Sequence, residues 1–256
     1  MNNSPWGPPN GPESSNSGSS DSNNPLAECG FGFIFLAWLS AYLLATLFAV
    51  AFQLLADSND LTGDNAPTWA FAVTALALWV PNVAMLVFVS HRRGTGNVRR
   101  DFSFSFQRRD LLGIPIGIFS QLLLVGAVTW PFRQIFPDSY SNDSIDKRAN
   151  DLVDAAHGYW VILLALIVVV GAPLIEELVF RGFIQGGLQS QFRQTTALLI
   201  TASWFTVVHA NPIEFPGLFA FGIVLGLCFM KTRRLGMSVW AHVAFNATAL
   251  FLVIIQ

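Results

Sequence analysis

The chain has 256 residues, of which 53% are hydrophobic and only 12% are charged, and its formal net charge is −2. A soluble domain carries roughly twice that charged fraction, and the mean hydropathy is +0.50. This composition excludes an ordinary soluble domain, gives no basic excess for binding nucleic acid, and predicts an integral membrane protein with several spans.

The first 28 residues differ in composition from the rest of the chain. Up to Pro25 they contain seven Ser, six Asn, five Pro and three Gly, with no basic residue. Such a segment has almost no apolar surface to bury and is predicted to be a disordered tail. It also lacks the positive and apolar regions of a signal peptide. Residues 29–256 are then predicted to form one transmembrane domain.

Seven apolar segments follow the tail, and a spanning helix needs about 20 apolar residues. The predicted spans are 31–56, 67–90, 111–130, 159–181, 195–211, 215–230 and 237–256. We therefore expect an all-α bundle of about seven transmembrane helices, within a range of six to eight. The fourth helix is expected to continue past Arg181, because only glycines interrupt the sequence that follows.

The basic residues predict the orientation of the bundle. Six arginines lie in the loop 91–110, and further basic residues lie at Arg193 and in KTRR (231–234). Placing these segments in the cytoplasm puts eleven of the fourteen Lys and Arg residues inside or at the inner edge, as the positive-inside rule requires. The tail is then cytoplasmic, and we expect the membrane to be a bacterial plasma membrane.

Two adjacent glutamates, Glu176 and Glu177, follow the apolar part of the fourth span. A charge at the centre of a spanning helix costs roughly 3 kcal/mol, so both carboxylates need partners or water. Glu177 and Arg181 are four residues apart, share a helical face and can pair. Glu176 is rotated by about 100° and lacks that partner. A carboxylate without a fixed cation is free to act as a base.

His209 and His242 lie in two other apolar segments, and Asn246 follows His242 on the same helical face. Taken singly, each histidine is more often satisfied by a backbone carbonyl. Together with the glutamates these residues predict one shared polar site, because each is costly in hydrocarbon without partners. The site could hydrolyse a bond, with a carboxylate accepting a proton from water and an amide stabilising the oxyanion. A polar network that only joins helices is the alternative.

The same residue types raise the question of a metal. His209, His242 and Glu176 are ligand types of a catalytic zinc site. No H-E-x-x-H motif is present, and using Glu176 as a ligand would remove the best candidate for the base. The metal-free mechanism is therefore favoured, no cofactor is firmly implied, and zinc remains an alternative.

Three motifs occur in order on these segments: EELVFRG (176–182), FTVVH (205–209) and HVAFN (242–246). They resemble the EExxxR, FxxxH and HxxxN motifs of the CAAX-protease and bacteriocin-processing family of intramembrane endopeptidases. That family includes the Ras-converting CAAX endopeptidase and many bacterial abortive-infection or immunity proteins. The resemblance covers about residues 155–256, which are expected to be the catalytic core.

The resemblance implies a role for each polar residue. Glu176 would activate the water, His209 and His242 would position it, and Asn246 would support the oxyanion. Glu177 would form a structural pair with the arginine that follows it. The substrate implied is a membrane-associated peptide or protein, such as a prenylated CAAX peptide or a bacteriocin-like peptide, and the sequence does not choose between them.

Two other functions are compatible with the sequence. In a proton-linked transporter, Glu176 and the histidines would relay protons, although no internal repeat supports such a fold. A catalytically silent membrane scaffold or immunity protein would keep the motifs only for packing, and it would tolerate Glu176→Gln.

Overall fold

A computed structural model describes residues 29–57, 68–140 and 160–255, and these residues contain helices and no strand. The all-α prediction is confirmed, whereas the predicted tail 1–28 lies outside the described residues. The helices are α1 (Phe31–Asp57), α2 (Thr68–Arg93), α3 (Val98–Asp101), α4 (Arg108–Ile135), α5 (Val161–Leu188), α6 (Gln194–Val207), α7 (Phe215–Thr232) and α8 (Gly236–Ile254).

Six of the described helices are long and apolar enough to cross a membrane, namely α1, α2, α4, α5, α7 and α8. The number lies within the expected range of six to eight. The predicted fifth span, 195–211, forms the shorter helix α6, whose 14 residues extend only about 21 Å. The helix ends at Val207, and Ala210 adopts a left-handed conformation with φ of 53°. The turn that follows therefore begins before the segment reaches the length of a bilayer core.

The predicted basic segments lie at one end of the bundle. Arg234, in the turn between α7 and α8, donates to the buried carboxylate of Asp110 at 2.9 Å. The neighbouring Arg233 donates to the Gln189 side chain, just beyond the end of α5. The Gln191 side chain in turn hydrogen-bonds to the start of α1. We call this the basic end; the assignment of this end to the cytoplasm remains a prediction.

Helix α5 is irregular on both sides of the two glutamates. Its α-helical segment Ala172–Glu177 lies between the π-helical segments Leu166–Gly171 and Leu178–Gln185. A π-helix bonds residue i to i+5 and is less tightly wound than an α-helix, and short π segments are frequent at functional sites. The π segments therefore alter the direction in which Glu176 and the residues around it point.

Helices α4 and α8 pack closely because α4 presents glycines to α8. A Cβ atom on Gly113 would overlap the backbone of Met237, and one on Gly117 would overlap the backbone carbonyl of Ala241. Only a residue without a side chain permits this approach, as at other small-residue contacts between membrane helices. The contact fixes α8, the helix that carries His242.

We expect Gly117→Ala to lower the free energy of unfolding by about 3 kcal/mol, because the added methyl group meets backbone atoms that cannot move independently. Gly126→Ala is the matched control on the same helix, since a Cβ atom there has no neighbour within 4 Å. Thermal unfolding of the purified variants in one detergent gives the comparison. Equal transition temperatures for the two variants would contradict the packing described here.

Candidate active site

The site is organised around the carboxylate of Glu177, which is completely buried. Arg181 Nη1 donates to Glu177 Oε1 at 2.9 Å, so the structure contains the pair expected from their spacing. His242 Nδ1 lies 3.0 Å from the same oxygen. A buried carboxylate is stable only when such partners replace its hydration, and here they come from α5 itself and from α8.

Arg181 is also fully buried and makes contacts on two other helices. Its Nη2 donates to the backbone carbonyl of Gly222 on α7 at 3.1 Å. Its guanidinium carbon lies 4.6 Å from the centre of the Phe205 ring on α6, an arrangement that adds a cation–π attraction. The guanidinium therefore ties α5 to α6 and α7 while it neutralises Glu177.

His242 lies between the two glutamates. Its Nδ1 faces Glu177, and its Nε2 lies 3.8 Å from Glu176 Oε2. A neutral imidazole carries one proton, and a hydrogen bond from Nδ1 to the Glu177 carboxylate holds that proton on Nδ1. The lone pair of Nε2 is then directed toward the side of the ring where Glu176 lies. The distance of 3.8 Å is too long for a direct hydrogen bond.

The two glutamates differ in their exposure. The Glu177 side chain is inaccessible, whereas 30% of the Glu176 side chain is accessible. Among the described residues, no hydrogen bond holds the Glu176 side chain. The imidazole of His242 lies 3.8 Å from it, and Arg181 on the same helix acts on it only electrostatically. Glu176 is therefore the carboxylate that a water molecule or a substrate can reach.

His209 follows the end of α6 and is partly buried. Its Nδ1 lies 2.7 Å from the backbone carbonyl of Phe205. Because a carbonyl can only accept, this nitrogen carries the proton, and Nε2 is left as an acceptor in the neutral ring. The Phe205 ring contacts the rings of both His209 and His242, with centroids 4.7 and 5.9 Å away. His209 thus joins the network through Phe205.

Asn246 lies one turn beyond His242 on α8. Its side-chain amide donates to the backbone carbonyl of Val168 at 2.8 Å, and Val168 belongs to the first π segment of α5. The hydrogen bond orients the amide and uses one of its two N–H groups. The remaining N–H is available to another acceptor.

The structure brings Glu176, Glu177, Arg181 and His242 into one contact network, and it links His209 and Asn246 to that network through intervening residues. Phe205 and Gly222 belong to the site in addition to the residues predicted from the sequence. A signal for Phe205 was present, since it is the first residue of FTVVH. Gly222 acts through its backbone carbonyl, and the pattern of side chains in a sequence does not predict which carbonyl will accept such a hydrogen bond.

The suitability of the site for a metal follows from the same geometry. His242 and His209 each keep an Nε2 acceptor, which is the form that binds zinc. Within the described ranges, however, no three His, Cys, Asp or Glu side chains are grouped closely enough to hold an ion. The donor types suit a metal, whereas their arrangement among the described residues does not bring three of them to one ion.

Ionisable residues on apolar, membrane-length helices mark a candidate functional site, and here one glutamate is buried and the other accessible. Residues 158–248 match the family model described as type II CAAX prenyl endopeptidase, Rce1-like. The three motifs and all six predicted site residues lie within this segment, so the match agrees with the resemblance that the motifs carry.

Two proteins of Bacillus subtilis (strain 168) are similar to this chain. The protein named "Putative membrane peptidase YdiL" is 27% identical over 146 residues, which cover 57% of this chain and 54% of the relative. The protein named "Uncharacterized protein YyaK" is 29% identical over 252 residues, which cover 88% of this chain and 77% of the relative. The match thus spans about half the length of the first relative. No solved structure matches this chain.

Glu177→Gln should lower the free energy of unfolding by on the order of 3 kcal/mol, because it leaves the Arg181 charge buried without its counter-ion. Glu176→Gln is the matched control, since the Glu176 carboxylate is accessible and is not in an ion pair with an arginine. Thermal unfolding in detergent, followed by circular dichroism, measures both. If the two variants unfold at the same temperature, Glu177 does not have the structural role described here.

Proposed function

We propose that this chain is an intramembrane endopeptidase that hydrolyses a peptide bond in a membrane-associated peptide or protein. The observation that supports this most directly is the position of His242 between a buried and an accessible glutamate. Glu177 orients the imidazole, and Glu176 remains free to exchange a proton with water. The match of residues 158–248 to a family of CAAX prenyl endopeptidases gives independent support.

In the proposed mechanism a water molecule lies between Glu176 Oε2 and His242 Nε2. Both atoms are acceptors, and their separation of 3.8 Å is short enough for one water to donate a proton to each. The lone pairs of the water oxygen then point away from both groups. This orientation leaves the oxygen free to attack a carbonyl carbon.

Hydrolysis then proceeds without a covalent enzyme intermediate. Glu176 accepts one proton as the water oxygen bonds to the carbonyl carbon, and the electron pair of the C=O double bond moves onto the carbonyl oxygen. When that pair returns, the C–N bond breaks and the leaving amine takes the proton from Glu176. The free N–H of Asn246 stabilises the oxyanion, a contribution of about 3 kcal/mol for one such donor. His209 Nε2 is a second imidazole acceptor, which can take the place of His242 in holding the water.

The depth of the site determines the class of substrate. Glu176 lies 12 residues, or about three helical turns, before the end of α5 at Leu188, so it is well inside the membrane-length helix and away from the basic end. A scissile bond at that depth belongs to a peptide held in the membrane by lipid or by its own apolar residues. We propose prenylated CAAX peptides and bacteriocin-like peptides as the two substrate classes to test, with the basic end in the cytoplasm of a bacterial plasma membrane.

Glu176→Gln should abolish cleavage while the protein remains folded, because an amide cannot accept the proton of water. The rate is expected to fall by at least about 1,000-fold, within the loss seen when a catalytic acid–base group is removed. Two assays measure it: cleavage of a farnesylated peptide ending in a CAAX sequence, and comparative mass spectrometry of membrane peptides from cells with wild-type protein or Glu176→Gln. Unchanged cleavage by the variant would refute the proposed base.

Exhaustive chelation distinguishes the proposed mechanism from a zinc mechanism. We expect purified protein to keep its cleavage activity after chelation, with bound metal measured in parallel. Activity that is lost with stoichiometric zinc, and that returns when zinc is restored, would make His209 and His242 ligands instead.

A further inference from the structure

A row of four polar side chains runs along α5 from the candidate active site to the basic end. Its members are four residues apart and therefore lie on one face of the helix. We call this set the polar row: Glu177, Arg181, Gln185 and Gln189. At its far end, Gln189 receives a hydrogen bond from Arg233. The proposed hydrolysis involves only Glu177 and Arg181, so Gln185 and Gln189 need a separate explanation.

The polar row packs against glycines of α7. Arg181 donates to the carbonyl of Gly222, and Gln185 Nε2 donates to the carbonyl of Gly226 at 3.2 Å. The two glycines are also four residues apart, so α5 and α7 are joined by two successive contacts. Gly226 also keeps space beside the amide of Gln185: a Cβ atom there would lie 2.9 Å from Gln185 Oε1.

Each member of the polar row has a buried polar atom without a hydrogen-bond partner among the described residues. These atoms are Glu177 Oε2, Arg181 Nε, Gln185 Oε1 and Gln189 Nε2. Buried polar groups in folded proteins are nearly always paired, either with protein atoms or with internal water. Four successive unpaired atoms on one face of a helix therefore indicate a shared partner of small size.

The chemistry of the four atoms identifies that partner as water. Along the row they alternate between acceptor and donor: carboxylate oxygen, guanidinium N–H, amide oxygen and amide N–H. The amide assignments follow from the bonds that Gln185 and Gln189 make with their other atoms. Successive members are one helical turn apart, an interval that a short chain of hydrogen-bonded waters can span, with each water donating to an acceptor or accepting from a donor of the row. Water both donates and accepts, so it suits each interval.

We propose that the polar row holds a file of water molecules that connects the basic end to the candidate active site and supplies the water that hydrolysis consumes. The existence of the file rests on the polar row alone, whereas its role in supply rests on the proposed function. Each peptide bond cleaved uses one water, and the helices that carry the site are largely apolar. Gln185 is then a positioning residue for water in transit, and it makes no contact with the reacting bond.

Radiolytic labelling tests the water file without relying on activity. A short X-ray pulse forms hydroxyl radicals from water in place, and these oxidise side chains that lie beside ordered water. Cys228 on α7 is 5% exposed and lies within electrostatic range of Glu177 and Arg181. Met85, 8% exposed and packed in an apolar cluster, is the control sulfur. After correction for intrinsic reactivity, Cys228 should be oxidised at least about threefold faster than Met85.

Two substitutions of Gln185 connect the labelling to the polar row. In Gln185→Leu the oxidation of Cys228 should fall to the rate of Met85, since leucine offers water no partner. In Gln185→Glu, which keeps an acceptor, fast oxidation should persist. Equal rates for Cys228 and Met85 in the wild type would overturn the proposal. So would fast oxidation in Gln185→Leu or slow oxidation in Gln185→Glu, and the latter result remains decisive if the leucine variant does not fold.

Steady-state kinetics on a cleaved peptide test the role in supply. Gln185→Leu should lower kcat by about tenfold, the effect of one lost water-mediated hydrogen bond, with KM unchanged. Gln185→Glu should restore kcat. A leucine variant with full kcat would overturn the supply role. If the labelling pattern is present and the wild type cleaves no peptide, the proposed function fails and the water file stands.

Discussion

The fold around the candidate site depends on the burial of one ion pair. Glu177 and Arg181 are both inaccessible to solvent, and each would be very unfavourable in an apolar interior without partners. The partners come from three other helices: the imidazole of His242 on α8, the Gly222 carbonyl on α7 and the Phe205 ring on α6. The helices must therefore stay in register, because a shift of one turn would leave a buried charge unpaired.

Glycines allow the helices to approach closely enough to hold this register. On α7, Gly222 exposes a carbonyl that accepts from the arginine, and on α4, Gly117 allows the backbone of α8 to approach closely. At both positions the absence of a side chain allows a neighbouring helix to contact backbone atoms directly. In a bundle surrounded by lipid, where apolar side chains gain little by leaving the lipid, close packing and interhelical hydrogen bonds supply much of the cohesion. The polar site and the close helix packing therefore stabilise one another.

The two adjacent glutamates illustrate how neighbouring residues of one type come to lie in different environments. Their positions on the helix differ by about 100°, and this rotation directs one into the ion pair and the other toward the accessible side of His242. The buried carboxylate has fixed partners and orients the imidazole. The accessible carboxylate, with 30% of its side chain exposed, can be reached by water or a substrate. The structural role of Glu177 and the proposed chemical role of Glu176 are thereby separated within two residues.

The sequence alone was sufficient to predict an all-α membrane bundle, the grouping of the basic segments and the Glu177–Arg181 pair. These features follow from composition and from helical periodicity, which are local properties. It overestimated the length of the fifth span, because hydropathy does not register the turn at Ala210. The partners supplied by backbone carbonyls, at Gly222 for Arg181 and at Val168 for Asn246, could be found only in the tertiary structure. A carbonyl is present at every residue, and only the packing of the helices decides which one is exposed to a side chain on another helix.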